Sequence, residues 1–307
     1  MTRWKKITLL SLLLTAAGLA MGACSAVSIL NATIPRSGYQ LHRDIAYGGD
    51  ARQKLDIYVP DGVHDASRLP VIVFFYGGSW KTGSKNDYLF VGQSFATKGY
   101  ITVIADYRLY PQVSFPDFLH DSANAFRFVH NHIAKYGGNP ESLFLAGHSA
   151  GAYNAVMLAV NHEYLRAAGA KAEWIRGVIA ISGPYDFLPL SDETLIKLFS
   201  TAVDIRHTQP ITFVNDKPYP PVFLATGDSD VDVLPRNSII LATRLKQLQT
   251  PVETHLYPNI DHIDIMLSLA HRFQDKTTLR EDIAKFINGI TASEDANTHQ
   301  KRNQGHV

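Results

Sequence analysis

Between residues 40 and 290 the chain alternates short apolar runs with stretches of helical spacing, and that alternation most limits its possible folds. Residues 71–75 (Val-Ile-Val-Phe-Phe) form a continuous apolar run, as a strand buried on both faces should. Residues 101–105, 143–146, 177–181, 222–225 and 252–256 repeat the type, whereas 55–59 alternates and reads as an edge-side strand. Between the runs, Phe118, Leu119, Ala123, Phe126, Val129 and Ile133 recur at helical spacing, and 150–160, 239–248 and 279–290 are further helix candidates. Strands separated by helices predict an α/β class with a mainly parallel sheet covered on both faces. Ligand chemistry then belongs at the carboxyl ends of the strands. Residues 185–220 break the rhythm, are longer than an ordinary connection, and predict a small cap or lid insertion.

Length and composition fit one large α/β domain or two modest ones, and the unbroken alternation from 40 to 290, without a low-complexity linker, favours one. The chain has 307 residues, 46% hydrophobic and 19% charged, which is ordinary for a protein with a sizeable core. This excludes a disordered chain, a collagen-like repeat and a disulfide-stapled miniprotein. Lysine and arginine number 29 against 28 acidic residues, so no electrostatic footprint marks a nucleic-acid partner. Cys24 is the single cysteine, so no intrachain disulfide can form.

The ends of the sequence have a different character. Arg3, Lys5 and Lys6 precede an apolar stretch over residues 7–23 that thins into small residues, the layout of a signal peptide. That stretch, at roughly 17 residues, sits at the lower limit for a membrane-spanning helix. Met21-Gly22-Ala23 directly before Cys24 resembles a bacterial lipoprotein signal, although that motif favours leucine where Met21 stands. The resemblance implies cleavage after residue 23, lipidation of Cys24 and attachment to a membrane through that lipid. Ser25 fits outer-membrane sorting facing the periplasm. Soluble secretion and a retained membrane anchor are the alternatives. Loss of the leader would remove three basic residues and leave a slightly acidic chain. Residues 24–39 read as a linker, and 291–307, polar and without aromatic residues, as a disordered tail.

Residues 147–151 read Gly-His-Ser-Ala-Gly, a G-x-S-x-G pentapeptide between a predicted strand and a predicted helix. A sharp turn of this kind projects a serine hydroxyl above the sheet, and flanking glycines avoid collisions within it. The helix N-terminus behind Ser149 favours developing negative charge. A Gly-Ser turn can be merely structural; the strand-turn-helix context supports a nucleophile. Acyl transfer also needs N–H donors aimed at the oxyanion. Ala150 follows the nucleophile, and Gly77 and Gly78 follow the strand 71–75, so these three amides are the candidates, with Gly78 favoured over Gly77 in the loop.

Three aspartates, Asp228, Asp230 and Asp232, follow the strand at 222–225. The spacing G-x-x-D-x-x-V selects Asp230 as the acid, with Asp228 second and the others capping or solvating the turn. His262 lies on the loop after the strand at 252–257, leaving room for one helix and one strand between it and Asp230. His255 lies within a strand and His271 within a helix, which makes them poorer bases, and His148 reads as a packing residue of the elbow. The chain order Ser149, Asp230, His262 suits a triad in which His262 takes the serine proton and Asp230 orients the imidazole. No H-E-x-x-H motif or cysteine cluster calls for a metal, and no cofactor is implied.

With these residues in place, the chain resembles the α/β-hydrolase superfamily over about residues 40–290. Within it, the chain resembles the bacterial carboxylesterase-like branch related to hormone-sensitive-lipase and arylformamidase enzymes. The motifs that carry this are Y-G-G-S-W at 76–80, D-Y-R-L at 106–109, Y-G-G-N-P-E-S at 136–142, G-H-S-A-G-A at 147–152, S-G-P-Y-D-F at 182–187 and G-D-S-D-V-D-V at 227–233. Many relatives carry histidine where Tyr76 stands, which bears on the shape of that loop. Arg108 is expected to pair with Asp106 or Asp121. Tyr76, Trp80, Tyr185 and Phe187 are the candidate substrate-binding aromatics, suited to an apolar acyl or alcohol group. The resemblance implies a serine hydrolase of small or medium carboxylic esters. An arylformamide or peptide bond as substrate, or a lipid-anchored binding protein with a dead hydrolase fold, are the competing readings.

Overall fold

The computed structural model describes residues 29–215 and 219–304, the last eleven of these as helical backbone only. Residues 1–23, expected as a signal peptide, and Cys24 lie outside the described residues. Eight strands form one sheet in the order β1-β2-β4-β3-β5-β6-β7-β8. They are β1 (Tyr39–Ala46), β2 (Lys54–Pro60), β3 (Leu69–Phe75), β4 (Ile101–Ala105), β5 (Gly138–His148), β6 (Ile175–Ile181), β7 (Val222–Gly227) and β8 (Val252–Tyr257). β1 and β2 are antiparallel to their neighbours, and every pairing from β4 through β8 is parallel. Helices 89–96, 117–132, 150–160, 236–247 and 279–304 connect and cover the strands.

The apolar runs occupy the middle of the sheet. Residues 71–75 and 143–148 are fully buried on β3 and β5, because helices close both faces there and leave no solvent side for a polar residue. The edge differs. The β1 sequence YQLHRDIA is largely exposed, and β1 rather than β2 is the outermost strand. The expected edge-side strand is therefore the second strand in, and six of its seven residues are buried.

Register aligns the ends of the parallel strands. Phe75 pairs with Gly147 and Ala105, His148 with Ile181, Ile181 with Ala225, and Gly227 with Tyr257. The loops that begin at residues 76, 149, 182, 228 and 258 consequently leave the same end of the sheet.

The β6–β7 connection, expected as a cap, carries the helix Glu193–Phe199 and two 3-10 turns, Ile205–Thr208 and Pro210–Phe213. It is tied to the core: Phe199 packs on Trp80 and Phe115, and the Leu198 carbonyl accepts the Phe115 amide. At the other end, the last helix runs from Leu279 to Gln304, past the Ile290 limit of the predicted helix. Neither proline nor glycine occurs between Gly289 and Gly305 to break it.

Candidate active site

The elbow at Ser149 is built by close packing. Ser149 has φ 53° and ψ −122°, a left-handed value that a non-glycine residue adopts only under tertiary constraint. Its amide donates to the Ile181 carbonyl of β6 at 2.9 Å. A Cβ on Gly147 would lie 2.3 Å from the Gly151 backbone, and one on Gly151 would lie 2.0 Å from the Phe75 carbonyl oxygen. Both glycines are thus required where the helix Ala150–Val160 turns back against β3. All eleven residues of that helix are buried, so it is fixed on every side. Ala150 opens the helix, and its amide is among the first four, which lack intrahelical partners.

The 76–80 loop lies beside the elbow. A Cβ on Gly77 would come within 3.0 Å of Ser149 Cβ and 3.1 Å of His148 Nδ1. Gly78 has φ +121°, and its carbonyl accepts the amides of Lys81 and Thr82 in a tight turn. The structure therefore places Gly77 against Ser149 and Gly78 immediately beyond it.

Asp230 and His262 meet directly. His262 Nδ1 donates to Asp230 Oδ2 at 2.8 Å, and Asp230 Oδ1 accepts the amides of Val233 at 2.9 Å and Asp232 at 3.1 Å. Both side chains are buried. Burial opposes the charge on Asp230, but the hydrogen bonds from His262 and the Val233 amide outweigh it and hold its pKa below the usual carboxylate value. With Nδ1 donating, Nε2 of His262 is left to receive a proton.

The competing aspartates have other work. Asp228 Oδ1 accepts the Asn259 amide at 2.7 Å and the Ser229 hydroxyl at 2.9 Å, so it ties the two loops together. Asp232 contributes its backbone amide to Asp230. Arg108 pairs with Asp121, in a fork at 2.8 Å on each oxygen, and not with Asp106.

Three of the four aromatics expected to bind substrate are core residues. Tyr76 is fully buried between Tyr107 and Tyr88, and its hydroxyl donates to Asp106 Oδ1 at 2.8 Å while accepting from Arg52 at 2.6 Å. A buried phenol needs such partners, and here they anchor the glycine loop from behind. Trp80 is buried against Tyr153 and Phe199 and donates from Nε1 to Asn154 Oδ1 at 3.0 Å. Tyr185 is fully buried. Phe187 alone keeps partial exposure, stacked over Trp80. Beside it, Leu188, Pro189, Ile196, Phe199 and Ile205 line an open apolar groove of about 600 Å³.

Sequence reasoning understated one residue. His148, read as packing, is buried and donates from Nε2 to the His262 carbonyl at 3.0 Å. Its ring centroid lies 4.6 Å from that of His262. The only signal in the sequence is a long polar side chain set beside Ser149 at the end of a buried strand.

Among solved structures, esterase B from Lactobacillus rhamnosis superposes with a TM-score of 0.80 at 17% identity, covering 94% of this chain and 99% of its own. Thermogutta terrifontis esterase 2 gives 0.68 at 21%, covering 83% and 96%. These likenesses establish the α/β-hydrolase fold. In sequence, a probable isoprenylcysteine alpha-carbonyl methylesterase of Oryza sativa subsp. japonica is 29% identical over 251 residues, 74% of this chain and 58% of that protein. The isoprenylcysteine alpha-carbonyl methylesterase of Arabidopsis thaliana is 28% identical over 270 residues, 81% of this chain and 62% of that protein. A probable carboxylic ester hydrolase of Mycobacterium tuberculosis, LipM, is 26% identical over 261 residues, 79% of this chain and 60% of that protein. The chain spans less than two thirds of the length of each of these curated relatives. The family model BD-FAE matches residues 55–245, which hold the glycine loop, the elbow and Asp230. On that match, which takes in more than half of the sequence, the chain belongs to the BD-FAE family.

Proposed function

We propose that this protein hydrolyses carboxylic esters through Ser149, His262 and Asp230 with an acyl-enzyme intermediate. The observation that carries the reading is the 2.8 Å bond between His262 and Asp230, set on the same sheet end as Ser149 in its strained elbow. His262 Nε2 takes the Ser149 proton as the hydroxyl oxygen attacks the ester carbonyl, and Asp230 stabilises the imidazolium that forms. The amides of Ala150 and Gly78 donate to the developing oxyanion, while the Gly77 amide is held by the Tyr88 hydroxyl. His262 returns its proton to the leaving alcohol, and water repeats the cycle on the acyl-enzyme. Relatives named as methylesterases and as a carboxylic ester hydrolase support an ester as the substrate. Phe187 and the adjoining groove suit an apolar acyl or alcohol group.

A panel of p-nitrophenyl esters tests the reading, with N-formylkynurenine as the amide comparison. Ester turnover should fall on the order of a millionfold in kcat in Ser149→Ala. Turnover that survives in that variant overturns the serine mechanism, and faster turnover of the formamide replaces the ester reading.

Membrane attachment through lipidated Cys24 is a second part of the proposal. It is supported by the basic residues, the apolar run and the small residues before Cys24. Cys24→Ser should move the protein from the membrane fraction to the soluble fraction; a variant that stays with the membrane overturns it.

A further inference from the structure

We propose that His148 is a positioning residue that holds the backbone of the base loop and so sets His262 against Ser149. The inference rests on the serine-hydrolase reading above and goes beyond it.

The elbow and the base arise on strands that are not neighbours. β6 and β7 lie between β5 and β8, so the two loops start about 14 Å apart at the usual strand spacing. Something must bridge that distance and fix how far His262 stands from Ser149. Asp230 fixes the imidazole ring of His262. The loop before the base is held at Asn259 by Asp228 and at Ile260 by the Ser229 amide, and Asp261 accepts the amides of Ile263 and Asp264. At His262 itself, the main-chain carbonyl is held by His148, from the position adjoining the nucleophile.

The chemistry of that contact is specific. A carbonyl oxygen only accepts, so Nε2 of His148 carries the proton and Nδ1 carries a lone pair. Nδ1 is buried, has no hydrogen-bond partner among the described residues, and lies on the side of Gly77. A proton there would be a buried donor without an acceptor, which is costly. Burial and the neighbouring His262 push the His148 pKa down to about 3, so the ring stays neutral. A neutral ring beside His262 adds no repulsion against the imidazolium formed during attack. One side chain therefore lies beside the glycine loop, adjoins Ser149 and ties the base loop.

The test compares His148→Gln, His148→Asn and His148→Leu by steady-state kinetics on p-nitrophenyl acetate, by fluorophosphonate labelling of Ser149 and by thermal melts. Glutamine places an N–H donor at the reach of Nε2, asparagine falls short and leucine has none. A base displaced by an ångström should lower kcat about a hundredfold in His148→Leu and His148→Asn, with labelling slowed in step and KM unchanged. His148→Gln should recover at least about tenfold of that loss. A merely structural role would lower stability without splitting kcat from KM and without rescue by glutamine. His148→Leu at wild-type kcat overturns the inference, as does His148→Gln no faster than His148→Asn in well-folded protein. If His148→Leu fails to fold, the glutamine–asparagine comparison decides. Wild-type protein that neither turns over the ester nor labels at Ser149 overturns the hydrolase reading as well; an active wild type with fast variants overturns only the role of His148.

Discussion

Oδ2 of Asp230 accepts the Nδ1 proton of His262 at 2.8 Å while its Oδ1 is held by the amides of Asp232 and Val233. The carboxylate cannot rotate without breaking these bonds, so it fixes both the tautomer and the tilt of the imidazole. Asp230→Asn keeps the shape but offers His262 a neutral partner. We expect kcat to fall on the order of ten-thousandfold with little change in KM. A loss below about tenfold would remove Asp230 from the mechanism.

The same carboxylate makes stability depend on pH. Its native pKa is lowered, so its contribution is present above the unfolded value of about 3.9 and is lost as pH falls through the native one. Urea unfolding of wild type and Asp230→Asn should show a stability gap that narrows with acid below about pH 4. A gap that widens there contradicts the ionised pair.

His148 gives a pH dependence in a higher window. Its pKa is lowered to about 3 in the native protein, against about 6.5 in the unfolded chain. Between those values the unfolded chain binds a proton that the native protein does not, so stability falls as pH falls from about 6.5. Lowering the pH from 6.5 to 5 should cost about 2 kcal/mol through this one group. The advantage of wild type over His148→Gln should shrink by that amount, measured by urea unfolding. A difference that stays flat across the window would show that His148 is not buried in neutral form.

The central strands were legible because burial on both faces removes polar residues from them, as in Val71–Phe75. β1 was not legible: His42, Arg43 and Asp44 sit on an exposed edge where nothing demands an apolar pattern. Asp230 could be chosen over Asp228 by its spacing from Gly227 and Val233, and the capping bonds of Asp228 agree. The aromatics misled because a large ring after a strand serves a core as well as a pocket. Tyr76 and Tyr185 turn inward, and only packing shows which way a loop side chain points. His148 was hidden for a related reason, since its partner is a carbonyl 114 residues away.

Tyr76 anchors the glycine loop through Asp106 and Arg52, from within the core. Tyr76→Phe keeps the ring stack on Tyr107 and Tyr88 but leaves Asp106 and Arg52 short of a partner. The expected cost is about 1–3 kcal/mol in denaturant unfolding. Because the phenol faces the core, KM for small esters should stay within about twofold of wild type, as for a change that removes no ground-state substrate contact. A KM that rises while stability is unchanged would return Tyr76 to the substrate site.

Two glycines should separate folding from catalysis. Alanine at Gly151 would put Cβ 2.0 Å from the Phe75 carbonyl oxygen, a backbone atom within a central strand. Helix and sheet must then part, and we expect a loss of about 3 kcal/mol or a failure to fold. Alanine at Gly77 would meet Ser149 Cβ at 3.0 Å and His148 Nδ1 at 3.1 Å, a crowding that a shift of a few tenths of an ångström relieves. That shift falls on Ser149, the proposed nucleophile, and on His148, which bonds the His262 carbonyl, so the loss should appear in kcat, about tenfold or more, with a melting temperature near wild type. The pair is checked by melts and kinetics side by side. Gly77→Ala with full activity would place the 76–80 loop too far from Ser149 to supply the oxyanion donors.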